Sequence, residues 1–384
     1  MKVYVVVLDG FGVGEAPDAN EYGDVGSNSF LNTDNLKKFD IPNLTKLGLY
    51  SLDGINKYNG EVLGTYAKLE ELSKGKDTTT GHYEIAGIIL EKPYPVFNKG
   101  IPNELLERLK EEFKTDIIAY PSISGTEVIR IEGAEHLRTK KPILYTSDDS
   151  VVQLACHTDI YPLEKLYEMS ERLRELLTGD YEVGRVIARP FATNENGEFY
   201  RLPYRKDYAL NPPKKSNLVV MQENNIKTLG IGKISSIFNG IGIDENLDAK
   251  NNTQSFEQLL VSQDMDFDGF VFANFIDTDM VYGHRNNVDG YRQCVEEFDK
   301  NLPRFLEKMK DDDILIITGD HGNDPTTPSV SHSREFTPFL CYGKRVKKNN
   351  NLGIIKGFNV ISEFALEYLG AKQEKKISKL ILEK

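Results

Sequence analysis

A chain of 384 residues, 39% hydrophobic and 10% aromatic, has enough apolar material for more than one core, so two domains are expected. A net charge of −12 argues against the basic surface that a nucleic-acid binder needs, and no apolar stretch approaches the roughly 20 residues that cross a bilayer. Phosphorylated substrates stay open, because a local site can be positive or metal-bearing on an acidic protein. The three cysteines, Cys156, Cys294 and Cys341, are odd in number and far apart, which fits buried, reduced thiols in a cytoplasmic protein.

The chain opens on Val3–Leu8, an unbroken apolar run closed by Asp9-Gly10. It is too short for a signal peptide and no small-residue cleavage site follows, so a strand is expected. Gly10–Asn28 is too rich in glycine for a helix and reads as a loop over the strand end. A short helix over Pro42–Leu49 and an extended Leu63–Lys74 lead into Gly75–Gly87, GKDTTTGHYEIAG. There a helix should begin near Thr79. A hydroxyl at its start faces backbone N–H groups that favour an anion, so a threonine here is either a phosphoryl acceptor or an ordinary N-cap.

Helices are expected over Ile101–Lys114 and Pro162–Thr178, and strands over Ile117–Tyr120, Glu127–Ile131, Pro142–Thr146 and Glu182–Arg189. Arg189–Pro213, rich in Pro, Gly, Asn and Arg, reads as loop and return linker. This interleaving suggests that about Val96–Leu210 is an α+β insertion, a cap on the main sheet, with 96–213 as the cap domain and 1–95 and 214–384 as the main α/β domain. The α/β rhythm resumes with Asn217–Glu223 helical, Lys227–Ile231 extended and Ser255–Val261 helical. The apolar strand Gly269–Ile276 then ends in Asp277 and Asp279, with His284 close behind. Val288–Met309 is a helix with a kink or break expected at Pro303. Ile314–Thr318 runs into Gly319, Asp320, His321, Gly322, Asn323 and Asp324, and His332 follows. A strand over Thr337–Tyr342, a surface loop at Lys347–Asn351 and a helix over Asn359–Leu369 complete the chain.

Three buried strands therefore end in acids, with three of the chain's six histidines close behind. Continuous apolar strands suit a parallel sheet covered on both faces, and ligands of such sheets gather at the carboxyl ends of the strands. Asp9, Asp279, His284, Asp320, His321 and His332 form a mixed carboxylate–imidazole set suited to two divalent ions such as Mn²⁺ or Zn²⁺. A pair of such ions can clamp the attacking and leaving oxygens of an in-line phosphoryl displacement, with a threonine hydroxyl such as Thr78 as nucleophile.

Asp9-Gly10 after a strand, Asp-Thr-x-x-Gly-His at Asp77–His82, Asp279 to His284, Asp320-His321-Gly322 and His332 resemble the alkaline phosphatase superfamily. Within it, GKDTTTGHYE, DMVYGHRN, GDHGNDPT and HSRE are similar to the phosphopentomutase family, as are Tyr145–His157, Gly184–Phe191, Arg205–Leu210 and Gly230–Ile234. Together these motifs span Lys2 to about Gly370. The nearest relative inside the superfamily, cofactor-independent phosphoglycerate mutase, carries serine where this chain has Thr78.

The resemblance implies an alkaline-phosphatase-like core, a central, mostly parallel sheet flanked by helices, with a smaller cap. It implies interconversion of ribose 1-phosphate and ribose 5-phosphate, and of the 2-deoxy forms. Thr78 would be the phosphorylated residue. One ion would be held by Asp9, Asp320 and His321, the other by Asp279, His284 and His332, with Mn²⁺ the expected metal. A bisphosphate such as glucose 1,6-bisphosphate would prime the enzyme. Ser147, Asp149 and Val151 would meet the sugar, and Arg185, Arg201 and Lys233 the distal phosphate. A cap carrying Arg185 would keep water from the phosphothreonine. The residues by themselves leave two other readings open, a phosphatase on the same metals and a metal-binding protein without turnover. The family departures are Tyr83, where tryptophan is common, and Gly319, where alanine is frequent; both are expected to affect packing alone.

Overall fold

The computed structural model describes residues 1–147 and 150–383. In chain order its strands are β1 (Lys2–Leu8), β2 (Thr65–Glu70), β3 (Ile118–Ser122), β4 (Ile143–Thr146), β5 (Val151–His157), β6 (Arg185–Thr193), β7 (Phe199–Arg201), β8 (Lys206–Ala209), β9 (Lys227–Ile231), β10 (Glu245–Leu247), β11 (Gly269–Phe275), β12 (Ile314–Thr318), β13 (Thr337–Tyr342) and β14 (Asn350–Lys356). The chain divides into two compact units, Tyr94–Leu210 and the remainder.

The larger unit is built on one sheet, ordered β10-β9-β11-β1-β12-β13-β2-β14. From β10 to β12 every pairing is parallel, while β13 runs antiparallel to both β12 and β2. The unalternated runs explain the centre of the sheet: every residue of β1, β11 and β12 is buried. Helices Asn252–Asp264 and Val288–Leu306 bring Phe256, Leu259, Tyr291, Val295, Phe298 and Phe305 against it. Because β11, β1 and β12 are neighbours in parallel register, their carboxyl ends lie side by side.

The smaller unit is an α+β layer with strand order β3-β4-β5-β6-β7, β8 pairing with β6. One sheet face packs on helices Asn103–Phe113 and Leu163–Leu176 through Leu154, Val186, Leu105 and Leu166. Part of the other face packs on helix Gly125–Thr139 through Val128, Ile129, Tyr145 and Phe191.

Several expectations are corrected. Glu127–Ile131 is helical, not a strand. Ser124 caps that helix by accepting from the Glu127 N–H, and burial of Val128, Ile129, Gly133 and His136 follows a helical face that outweighs the β-branched residues. Arg189–Pro213 is not a plain loop, since β6 continues to Thr193 and β7 and β8 pair with it. Lys347–Asn351 gives way to β14 at Asn350, and the glycine-rich Gly10–Asn28 contains one helical turn, Ala19–Tyr22, closed by Gly23 in the left-handed region. The helix over Val288–Leu306 also runs through Pro303. The proline leaves the Asp299 carbonyl without its helical donor, and Asn43 Nδ2 supplies one at 2.9 Å.

All three cysteines are free and buried: Cys156 in the smaller unit's core, Cys294 on helix Val288–Leu306 and Cys341 in β13. Burial raises each thiol's pKa, that of Cys294 to about 12. Among the described residues no helix is long and apolar enough to cross a membrane.

Candidate metal centre

Asp9 follows β1 directly, Asp279 lies in a π-helical turn after β11, and Asp320 and His321 stand two and three residues beyond the end of β12. The π-turn, Thr278–Tyr282, re-aims the chain so that Asp279 and then His284 face the same space. His332 arrives on a returning segment that bridges back to Gly322 through Ser333. The three imidazoles pack against one another, His321 to His332 at 4.0 Å between ring centroids and His284 to His332 at 4.8 Å.

The candidate ligand atoms fall into two overlapping groups. In the first, His321 Nε2 lies 3.4 Å from Asp9 Oδ1 and 3.5 Å from Asp320 Oδ2. In the second, Asp279 Oδ1 lies 3.3 Å from His332 Nε2 and Asp279 Oδ2 lies 3.2 Å from His284 Nε2. His321 is also near enough to Asp279 and His332 to serve that group, so it sits between the two. Asp320 Oδ2 and His332 Nε2 are buried without a hydrogen-bond partner. Orphaned buried atoms of this kind, in a set of three carboxylates and three imidazoles, fit a pair of divalent ions.

The electrostatics agree. Burial pushes Asp279 upward, but the imidazoles of His332 and His284 outweigh it and hold the carboxyl well below the usual range. Asp320 is likewise raised by burial and lowered further by His321 and His82. Burial disfavours an imidazolium at His321, yet Asp320 and Asp9 hold its pKa well above the ordinary value. Cationic charge is thus stabilised at the centre of the cluster.

Thr78 opens the helix Thr78–Ile85, one residue earlier than expected. Its hydroxyl is 3.2 Å from His321 Nε2 and 3.4 Å from Asp9 Oδ1. The cap is Asp77, which accepts from the Thr80 N–H at 3.1 Å, so Thr78 is not consumed in capping. Gly81 is needed because a Cβ there would strike the Asp320 carbonyl. Ahead of the helix, the buried Arg334 guanidinium donates to the carbonyls of Ser73 at 2.9 Å and Gly75 at 2.7 Å and pairs with Asp18 and Glu71. It fixes the loop that delivers Thr78 to the segment that carries His332.

The expected substrate residues are divided between the two units. Val151 and Arg185 are register partners at the start of β5 and β6, and Ser147 directly follows β4. Arg201 pairs with Phe191, six residues further along β6 than Arg185, so their backbones are about 20 Å apart along the strand. Lys233 lies in the larger unit just after β9, its Nζ 3.6 Å from Met280 Sδ. Asp149 lies outside the described residues.

Sequence reasoning missed Arg189 and Arg205. Arg189 projects from the same face of β6 as Arg185 and donates from Nε to Gln153 at 2.9 Å, while Arg205 shares the Asp207 carboxylate with Arg185. The alternation Arg185, Ile187, Arg189 was a readable signal of a shared strand face. It also assigned no role to His82, Asn274 or Asn323. His82 Nδ1 donates to the Thr78 carbonyl at 2.8 Å and also lies 3.1 Å from Asp320 Oδ2.

Tyr83 packs its ring on Phe238. Gly319 has no space for a Cβ, which would strike the Phe11 carbonyl.

A mostly parallel sheet with acidic and imidazole side chains converging at its carboxyl edge defines an α/β metalloenzyme. The Metalloenzyme superfamily model matches residues 1–373. Curated phosphopentomutases are 48% identical over 370 residues in Lachnoclostridium phytofermentans, 45% over 372 in Acetivibrio thermocellus and 47% over 374 in Carboxydothermus hydrogenoformans. Each match covers 96% of this chain and 95 to 96% of the relative. The chain belongs to the phosphopentomutase family, a family of isomerases within that superfamily. Among solved structures, Leishmania mexicana phosphoglycerate mutase aligns over 98% of this chain and 96% of its own, at 11% identity and TM-score 0.46.

Proposed function

We propose that the chain interconverts α-D-ribose 1-phosphate and D-ribose 5-phosphate, and the 2-deoxy pair, through a phosphothreonine at Thr78 and a ribose bisphosphate. The observation that carries this reading is the Thr78 hydroxyl, at the head of a helix and within 3.4 Å of both Asp9 and His321. Asp9, Asp320 and His321 would hold one divalent ion and Asp279, His284 and His332 the other, with Mn²⁺ suited to this mixture of donors. Bound there, the ions neutralise phosphoryl charge and favour an ionised hydroxyl.

The chain's own part is to carry and re-accept one phosphoryl group. The 5-hydroxyl of ribose 1-phosphate attacks the phosphorus on Thr78, the bond from phosphorus to Thr78 Oγ breaks, and the 1,5-bisphosphate forms. After the bisphosphate turns end for end, Thr78 Oγ attacks the phosphorus on O1. That phosphorus–oxygen bond breaks and ribose 5-phosphate leaves. The proton lost by the 5-hydroxyl in the first half is regained at O1 in the second, so enzyme and sugar return balanced. A bisphosphate such as glucose 1,6-bisphosphate would load Thr78 for the first turnover.

Ser147, Asp149 and Val151 would position the sugar, and Arg185 and Lys233 the distal phosphate, for which a planar guanidinium is apt. Arg201, on β7 opposite Phe191, is the weaker candidate. The site takes a small pentose phosphate, in a protein expected in the cytoplasm.

A coupled assay following ribose 5-phosphate from ribose 1-phosphate with added metal tests the reading. Thr78→Ala should lower the rate on the order of 10³-fold or more, and mass spectrometry should find phosphate on Thr78 of the primed wild type. A Thr78→Ala protein that isomerises at the wild-type rate overturns it.

A further inference from the structure

Three neighbouring strands lead to carboxylates, and each carboxylate receives an N–H from another of the three. Asn274 Nδ2, on β11, donates to Asp9 Oδ2 at 2.8 Å. The Gly10 N–H, beyond β1, donates to Asp320 Oδ1 at 3.1 Å. Asn323 Nδ2, beyond β12, donates to Asp279 Oδ1 at 2.7 Å. The braces close on themselves: β11 holds β1, β1 holds β12, and β12 holds β11. We infer that Asn274 and Asn323 are positioning residues for the metal centre, each dedicated to one ligand group. Asn274 serves Asp9, Asp320 and His321; Asn323 serves Asp279, His284 and His332. The inference rests on the two-ion reading proposed above.

Both asparagines are fully buried, and the side-chain oxygen of each has no hydrogen-bond partner. A buried amide that leaves its oxygen unsatisfied is kept for its N–H groups. The carboxylates also fix which way each amide points, since a flipped amide would set oxygen against oxygen. With Oδ2 held by Asn274, Asp9 turns Oδ1 toward His321 and Thr78. With Oδ1 held by Asn323, Asp279 turns Oδ2 toward His284. Gly283, beside His284, lies so close to Asn323 that a Cβ there would come within 2.6 Å of the amide carbon.

The two braces differ in one respect. Asn274 Nδ2 is also 3.1 Å from His82 Nε2. His82 Nδ1 faces the Thr78 carbonyl, which can only accept, so Nδ1 carries the proton and Nε2 is the acceptor. Asn274 therefore ties Asp9 to the first turn of the Thr78 helix. The backbone N–H of Asn323 instead meets the Gly10 carbonyl and the Ser29 hydroxyl.

The test is a Mn²⁺ titration of full-length, metal-stripped protein, followed by electron paramagnetic resonance of the free ion. Wild type should take up two equivalents. Asn274→Asp and Asn323→Asp keep the shape but replace donor by acceptor, and each should weaken one equivalent about 10- to 100-fold and spare the other. In a His284→Ala background, where one equivalent is already weak, Asn274→Asp should weaken the remaining one and Asn323→Asp should leave it. Asn274→Ala and Asn323→Ala, with folding checked by circular dichroism, give the same assignment should an aspartate variant fail to fold. Variants that bind both equivalents as wild type does, or that lose both in step, overturn the inference while the two-ion reading stands. A wild type that binds fewer than two overturns that reading itself.

Discussion

The two candidate ligand groups of the proposed metal centre are built differently. Asp9, Asp320 and His321 are almost sealed, with at most 2% of each side chain exposed, and they hang from the adjoining ends of β1 and β12. Asp279, His284 and His332 come from turns beyond the strands, and 30% of the His284 side chain is exposed. The inner group inherits the rigidity of the sheet core, whereas the outer group depends on loops and hydrogen bonds such as that from His284 Nδ1 to the Val330 carbonyl at 2.7 Å. The inner site should therefore bind its ion more tightly and release it more slowly.

The largest effect should separate the groups by activity. Asp320→Asn alters a sealed candidate ligand and should lower isomerisation roughly 10²- to 10³-fold, with little recovery in excess metal. His284→Ala should cost about 10- to 100-fold and recover as Mn²⁺ is raised. Rate against metal concentration for both variants checks this, and equal recovery would erase the distinction between inner and outer sites.

A second comparison uses pH. In metal-free protein the raised pKa of His321 contributes stability that is complete below the ordinary imidazole value of about 6.5 and is lost as pH rises through its folded value. The depressed Asp279 contributes stability that is present above about 3.9 and is lost as pH falls through its folded value. Melting temperature without metal should therefore decline as pH rises above about 6.5. With Mn²⁺ present the trend should reverse, because ligating imidazoles must be neutral and metal affinity grows with pH. Melting curves in chelator and in Mn²⁺ between pH 6 and 9 read both slopes; a metal-free protein that gains stability over that range has the sign wrong.

The smallest effects compare packing. Gly319→Ala presses on the Phe11 carbonyl behind the inner group and should cost about 1–3 kcal/mol in urea unfolding. Val330→Ala on the exposed outer rim should change stability by about 0.5 kcal/mol at most.

What could be read from sequence follows the same division. β1, β11 and β12 are unalternated apolar runs, and an acid just beyond such a run is conspicuous, so the candidate ligands stood out one strand end at a time. Asn274 did not, because within Gly269–Ile276 it looks like a lapse in an apolar strand, and only the register with β1 shows it beside Asp9. Asn323 was hidden by its own chemistry, as asparagine after glycine is ordinary turn material. In the smaller unit the signal was weaker. β7 and β8 are short and largely exposed, so neither carries a clean period. Glu127–Ile131 has strand-like residue types but a helical spacing, and the capping serine decided the matter.

The buried thiols give the molecule an internal clock. Cys156 and Cys341 are sealed from an alkylating reagent in the folded chain, so an adduct on either marks a moment when the structure around it has come apart. Cys156 belongs to one unit and Cys341 to the other. Peptide-resolved labelling over time would show whether the two units breathe on the same schedule.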